Sequence, residues 1–294
     1  MSVDDLPDLP SYCLADLAWP DIQRFVEADG ICLVPFGSQE SHGPAVPVGC
    51  DTYHCVETVE RAAPLARVPY TPTVPFGYSP HHLRGVGEGS GTVTMRASTC
   101  QAVYYDLLRS LIHQGFTKLV VVNGHASNTK TFDPVLRKIR DEHGVLIAIY
   151  HPYGERYLGI MDDVLESPRE ETPGWHAAEQ ETSQMLAHDE RLVHLDRLNG
   201  FWEPARAPEW MPSAITKWDG GNVVTFQDYE YFHVVMEHAD FAPTAVIGNP
   251  HRATAEKGRE IYDRFGNHLV DFIAELRKIE LGEIRDQEFR NRAL

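Results

Sequence analysis

Basic residues are scarce in this chain. Lys and Arg number 26 against 43 Asp and Glu, a formal net charge of −17. Gripping a nucleic-acid backbone takes clustered Lys and Arg, so that class of partner is excluded. An anionic membrane surface is disfavoured for the same reason. Long apolar runs are missing too. No 18 consecutive apolar residues occur, so no membrane-spanning helix is expected. The opening stretch MSVDDLPDLPSY has no basic n-region and no apolar h-region, and so is not read as a secretory signal. Cysteine is sparse: five, an odd number, with no CxxC pair. That pattern predicts reduced thiols, not a disulfide framework, and a cytoplasmic location. Catalytic signatures are absent as well. There is no P-loop, no GxGxxG after a strand and no GxSxG elbow. Cys50 stands beside Asp51, and a neighbouring carboxylate raises a thiol's pKa, the wrong direction for a nucleophile.

What is present is an ordinary globular composition. The chain has 294 residues, 43% of them hydrophobic. That is enough for a substantial core. ICLVPFG (31–37), TKLVVVNGH (117–125) and VLIAIYH (145–151) read as buried strands, and VPYTPTVPFG (68–77) as a further short one. Helices are expected over about 20–28, 51–63, 98–114, 128–143, 177–187 and 252–277. Strands alternating with helices predict a mainly parallel sheet with helices on both faces. No linker or repeat appears, so 1–294 is read as a single domain. Residues 1–17 form an N-terminal arm, 195–245 a loop-rich insertion or flap, and 278–294 a charged tail.

Ligands of open parallel sheets bind beyond the carboxyl ends of the strands. GSQESHGPAVPVGCD follows the first strand and brings Glu40, His42 and Asp51 into one bent loop. Two carboxylates and an imidazole suit Zn²⁺, Mn²⁺ or Fe²⁺. A polar loop whose acids cap a helix is the alternative. His125 follows the strand VVVN and falls at the same rim; a plain turn histidine is its alternative. GWHAAEQETSQML offers His176, Glu179 and Glu181. On a helix, Glu179 would share a face with His176 and Glu181 would not. An acidic first turn favoured by the helix dipole explains both acids without a metal. The loop GYSPHHLRG adds Ser79, His81 and His82 as ligands, substrate contacts or surface groups.

Together, VPFGSQESHGPAVPVGCD, PFGYSPHH with GSGT, VVVNGHASN, WHAAEQETS and GNPHRATAEKGREIYD resemble the creatininase (creatinine amidohydrolase) family over roughly residues 20–270. The resemblance implies a three-layer α/β/α fold and a dinuclear site of two divalent metal ions per chain, Zn or Mn, with Fe as a further option. It places metal ligands at Glu40, His42, Asp51 (bridging), His125 and Glu181, with Glu179 as the fallback to Glu181. It makes His176 the proton-transfer group. Ser79, His82, Ser127 and Glu179 complete the set as expected substrate contacts.

The chemistry so implied is hydrolysis of a C–N amide bond in a small, cyclic or formylated molecule by metal-activated hydroxide, with His176 protonating the leaving nitrogen. A peptidase trimming a short peptide is the second reading, and a scaffold protein retaining the fold the third. The resemblance also implies a homo-oligomer, with a hexamer suspected. Three departures stand out. Ser127 replaces a Glu that creatinine-hydrolysing members carry, which argues against creatinine itself. Ala45 replaces a His, and HAGE has become HAAE at Ala178.

Overall fold

The computed structural model describes residues 5–83, 89–152, 159–167, 176–198, 207–216 and 223–282. Its centre is a parallel sheet. β1 (Ile31–Phe36) and β2 (Lys118–Asn123) are buried at every position. Continuous apolar strands of this kind form where both faces of a sheet are covered. β1 pairs with β2 from Ile31↔Lys118 to Phe36↔Asn123. β2 pairs with β3 (Leu146–Tyr150), also in parallel, giving the order β1-β2-β3.

The strand expected over 68–77 does not form. The segment runs beside β1 but touches it only at single parallel bridges, Tyr70 to Leu33 and Val74 to Phe36. Pro69, Pro72 and Pro75 explain this, since each lacks the N–H that a ladder needs.

Helices α1 (Trp19–Ala28), α2 (Cys50–Ala66), α3 (Ala97–His113), α4 (Thr129–His143), α5 (Glu179–Asp189) and α7 (Ala255–Arg277) lie near their expected positions. α2 and α5 pack against α7, and α3 packs against α4. The sheet lies between these two groups, so the architecture is the α/β/α layering expected. Phe36, Tyr104 and Phe132 join the sheet to the α3–α4 layer, with centroids 4.4 Å apart for Phe36–Tyr104 and 4.7 Å for Tyr104–Phe132. On the other side α5 and α7 approach closely. A Cβ on Gly258 would stand 1.9 Å from the Ser183 carbonyl oxygen, so only glycine allows that contact.

The region 195–245 is less irregular than expected. Its described part contains β4 (Ile215–Thr216), β5 (Val223–Phe226) and β6 (Tyr229–His233), an antiparallel sheet in that order, followed by the short α6 (His238–Phe241). Met211, Val224, Met236, Phe241 and Ile247 give it a small core of its own. Most of the tail 278–294 lies outside the described residues. All five cysteines are free. Among the described residues no helix is long and apolar enough to cross a membrane.

Candidate functional site

Two strand ends and two helix starts converge on one point. Glu40 and His42 follow β1, and His125 follows β2. Asp51 lies in the first turn of α2 and Glu181 in the first turn of α5, where the helix dipole favours a carboxylate. Glu40, His42, Asp51, His125, His176 and Glu181 are all buried.

Glycine sets one of these approaches. A Cβ on Gly124 would lie 2.0 Å from the Asp51 carbonyl oxygen, so the β2 end and the α2 start could not come this close with any other residue. Asn123 then holds the loop, donating to the His125 carbonyl at 2.7 Å and accepting from Asn128 at 3.1 Å.

The histidines are oriented alike. His42 donates from Nδ1 to the Glu40 carbonyl at 3.0 Å, His125 from Nε2 to the Tyr78 carbonyl at 3.1 Å, and His176 from Nε2 to the Ser41 carbonyl at 2.9 Å. A carbonyl can only accept, so each of these nitrogens carries its proton. The opposite nitrogen of each ring therefore points inward, at carboxylates. His42 Nε2 lies 3.4 Å from Asp51 Oδ1 and 3.5 Å from Glu181 Oε2. His125 Nδ1 lies 3.2 Å from Asp51 Oδ2 and 3.3 Å from Glu40 Oε1. His176 Nδ1 lies 3.7 Å from Glu40 Oε1. Asp51 thus offers one oxygen to each of two imidazoles.

Lone pairs facing lone pairs require positive charge between them. Glu40 Oε2, His42 Nε2 and Asp51 Oδ2 are buried and lack hydrogen-bond partners. Without a metal, protons must supply the charge. Burial disfavours a charged His125, yet Glu40 and Asp51 outweigh it and hold it at about 10. Burial likewise opposes charge on His42, but Cys50, Asp51 and Glu181 lift it well above the usual range. Burial opposes charge on Glu40 as well, and there His125 and His82 prevail and hold the carboxyl down. His176 goes the other way: burial, then His42, pushes it down. A divalent cation answers the same demand. Glu40, Asp51 and His125 form one set of ligand atoms close enough to share an ion, and His42, His176 and Glu181 form another. An imidazole tied by its far N–H to a backbone carbonyl is the arrangement usual for metal-bound histidine.

Two expected substrate contacts are placed elsewhere. Glu179 turns away from the centre. Its carboxylate takes Lys257 Nζ at 2.7 Å and the backbone N–H groups of Glu166 and Ser167 at 2.8 and 2.7 Å. The helical-face argument failed because α5 begins at Glu179, which leaves His176 outside it, in a bridge to Ile247. Ser79 is fully buried behind His125, its hydroxyl 3.0 Å from Nε2 and 2.6 Å from Ser38 Oγ. Ser127 lies at the rim, 3.4 Å from His81 Nε2 and 3.5 Å from Lys130 Nζ. His82 is fully buried and reaches Glu40 Oε1 at 3.6 Å. Sequence reasoning missed His238, which opens α6 and meets His82 with ring centroids 3.8 Å apart. No local pattern marks it; only the fold brings it there.

Fold and centre together define a class, an α/β/α hydrolase with a buried histidine–carboxylate centre at the strand ends. The chain belongs to the creatininase family: that family's sequence profile, creatinine amidohydrolase, matches residues 15–273. The family's members are hydrolases acting on amide C–N bonds, and this chain is an enzyme of that class. A 3-dehydro-scyllo-inosose hydrolase of Thermotoga maritima is 25% identical over 86% of this chain and 79% of its own length. A creatinine amidohydrolase of Pseudomonas putida is 27% identical over 64% of this chain and 76% of its own length. A mycofactocin precursor peptide peptidase of Mycobacterium ulcerans is 25% identical over 87% of this chain and 85% of its own length. A creatininase crystal structure superposes with a TM-score of 0.71 at 22% identity, covering 92% of this chain and all of that one. Manganese and Zn–Zn forms of creatininase superpose with TM-scores of 0.67 and 0.69.

Proposed function

We propose that this chain is a dinuclear-metal amidohydrolase acting on a C–N amide bond of a small molecule. Glu40, Asp51 and His125 would hold one divalent ion, and His42, Asp51 and Glu181 the other, with zinc or manganese as the natural occupants. The observation that carries this reading is the orientation of His42 and His125. Each has its far N–H on a backbone carbonyl and its near nitrogen against two carboxylate oxygens. Bound there, divalent ions polarise a carbonyl and activate water at neutral pH.

The remaining chemistry belongs to His176. Its Nε2 proton is committed to the Ser41 carbonyl, so the Nδ1 position is the one that can trade a proton. Burial keeps the ring neutral. Neutral Nδ1 can accept a proton from the attacking water and deliver it to the leaving nitrogen. Glu40, 3.7 Å away, steadies the imidazolium that exists between those two events. Ser127 Oγ lies beside His81 and Lys130 and would meet substrate at the position where the resemblance expects a carboxylate in creatinine-hydrolysing members. We therefore place the substrate among amides and lactams other than creatinine.

Metal analysis of wild type and Asp51→Ala tests the proposal. The variant should hold about two ions fewer per chain and lose amide hydrolysis. Equal metal content in the two proteins would sink it. A peptidase reading draws on the mycofactocin-type relative, and short peptides belong in the same substrate screen.

A further inference from the structure

A second group of ligating side chains adjoins the carboxylate centre, and the proposed reaction does not use it. His81 and His82 come from the single turn Pro80–His82, and His238 opens α6, which packs on that turn. One ring nitrogen from each lies within 4.8 Å of the other two. Ring centroids are 4.8 Å apart for His81–His82, 4.7 Å for His81–His238 and 3.8 Å for His82–His238.

His82 is the telling member. It is fully buried, and neither ring nitrogen has a hydrogen-bond partner. Buried polar atoms are nearly always paired, because an unpaired one is expensive. Packing alone does not explain the residue, since a phenyl ring would fill the space without that cost. Three imidazoles in mutual contact cannot all carry charge. Neutral, each can offer a lone pair to one ion, and a Lewis acid there would satisfy the orphaned nitrogen of His82.

We propose that His81, His82 and His238 form an accessory site for a borderline divalent transition metal, zinc being the natural case, beside the carboxylate centre. The donor set is all nitrogen. It suits Zn²⁺ or Co²⁺ and discriminates against Mn²⁺ and Mg²⁺, which prefer oxygen. Three protein ligands leave the fourth position of a tetrahedral ion open to water or to an oxygen donor of the substrate. His176 stacks on His82 with centroids 4.7 Å apart, so the accessory site and the proton-transfer group share a wall. The proposal stands whether or not the substrate is an amide.

Metal counting on the full-length protein tests it. Wild type, His238→Ala and Asp51→Ala are each loaded with Zn²⁺ or with Mn²⁺, freed of loose metal by gel filtration, and measured by mass spectrometry. Zinc-loaded wild type should hold about one ion more than manganese-loaded wild type. His238→Ala should lose that extra zinc and keep its manganese count, which doubles as a check on folding. Asp51→Ala should keep about one zinc. Should His238→Ala fail to fold, the wild-type difference and the Asp51→Ala count still decide. No excess of zinc over manganese in wild type, or no zinc at all in Asp51→Ala, overturns the accessory site. Neither result touches the dinuclear reading, which fails only if Asp51→Ala keeps its full manganese count.

Discussion

The carboxylate centre and the three-histidine cluster are built from the same side chain, yet they hold it in opposite states. His42 and His125 face two carboxylate oxygens each and are driven toward the charged form. His81 and His82 pack against other imidazoles, with Glu40 Oε1 3.6 Å from His82, and burial drives both toward the neutral form, His81 to about 4. Burial opposes charge in both groups; the carboxylates around His42 and His125 overcome it, and the single Glu40 carboxylate near His81 and His82 does not. A histidine beside carboxylates must give up a proton to take a metal. His81 and His82, kept neutral by burial, have none to give.

That contrast makes metal uptake the sharpest probe. In the metal-free protein His125 keeps its proton up to about pH 10. A metal must displace it, so affinity at the carboxylate centre should rise with pH throughout the neutral range. The slope should be about tenfold per pH unit for each proton displaced. His42 adds a second displaced proton. Zinc affinity at the imidazole cluster should rise less steeply over the same range, because His81, at about 4, and His82 are already neutral there. Competition titrations with a chelator at pH 6, 7 and 8 would show both slopes. Flat binding at the carboxylate centre would break the contrast.

The next test separates the two groups sterically. Gly124→Ala places a methyl 2.0 Å from the Asp51 carbonyl, so β2 and α2 must part. The overpacking should cost about 1–3 kcal/mol in chemical denaturation. Manganese retention at the carboxylate centre should fall, since Asp51 and His125 no longer share their oxygen–nitrogen contact. The imidazole cluster draws on neither segment and should keep its zinc. Equal losses at both would show that they are a single unit.

How much of this was legible beforehand follows from locality. Glu40, His42 and Asp51 lie in one bent loop, and His125 directly follows an apolar strand, so strand-end logic brings them to one rim. Glu181 was not decidable from spacing. The choice between it and Glu179 depended on where α5 begins, and its N-cap, Ala178, offers no capping side chain to mark that boundary in the sequence. The segment 68–77 looked like a strand because its side chains do; its prolines deny the backbone half of the ladder. His238 was invisible, because its partners lie on a turn far back in the chain and only tertiary packing joins them.

The Glu179 assignment carries its own prediction. Lys257→Met removes the cation from a carboxylate that is 1% exposed. Breaking a buried pair costs about 3–5 kcal/mol, and the two backbone N–H groups that Glu179 keeps should hold the loss near the lower figure. Metal counts at both groups should be unchanged in Glu179→Gln. A lost ion in that variant would return Glu179 to the carboxylate centre.

The smallest expected effect concerns the backbone between His176 and α5. Ala177 has φ 52, the left-handed region that an L-residue enters at a cost of about 1–2 kcal/mol. The conformation lets its N–H donate to Glu181 Oε2 at 2.6 Å and so ties the segment that carries His176, the proposed proton-transfer group, to the Glu181 carboxylate. Ala177→Gly relieves that strain. It also frees the unfolded chain, worth about 0.4–1 kcal/mol against folding, and removes a buried methyl worth about 0.8 kcal/mol. The three contributions nearly cancel, so stability should change by less than about 1 kcal/mol, with both metal counts intact. The N–H that holds Glu181 belongs to the backbone and survives the change. If metal is lost while stability holds, then the stiffness of Ala177, and not the hydrogen bond alone, keeps Glu181 aimed at His42.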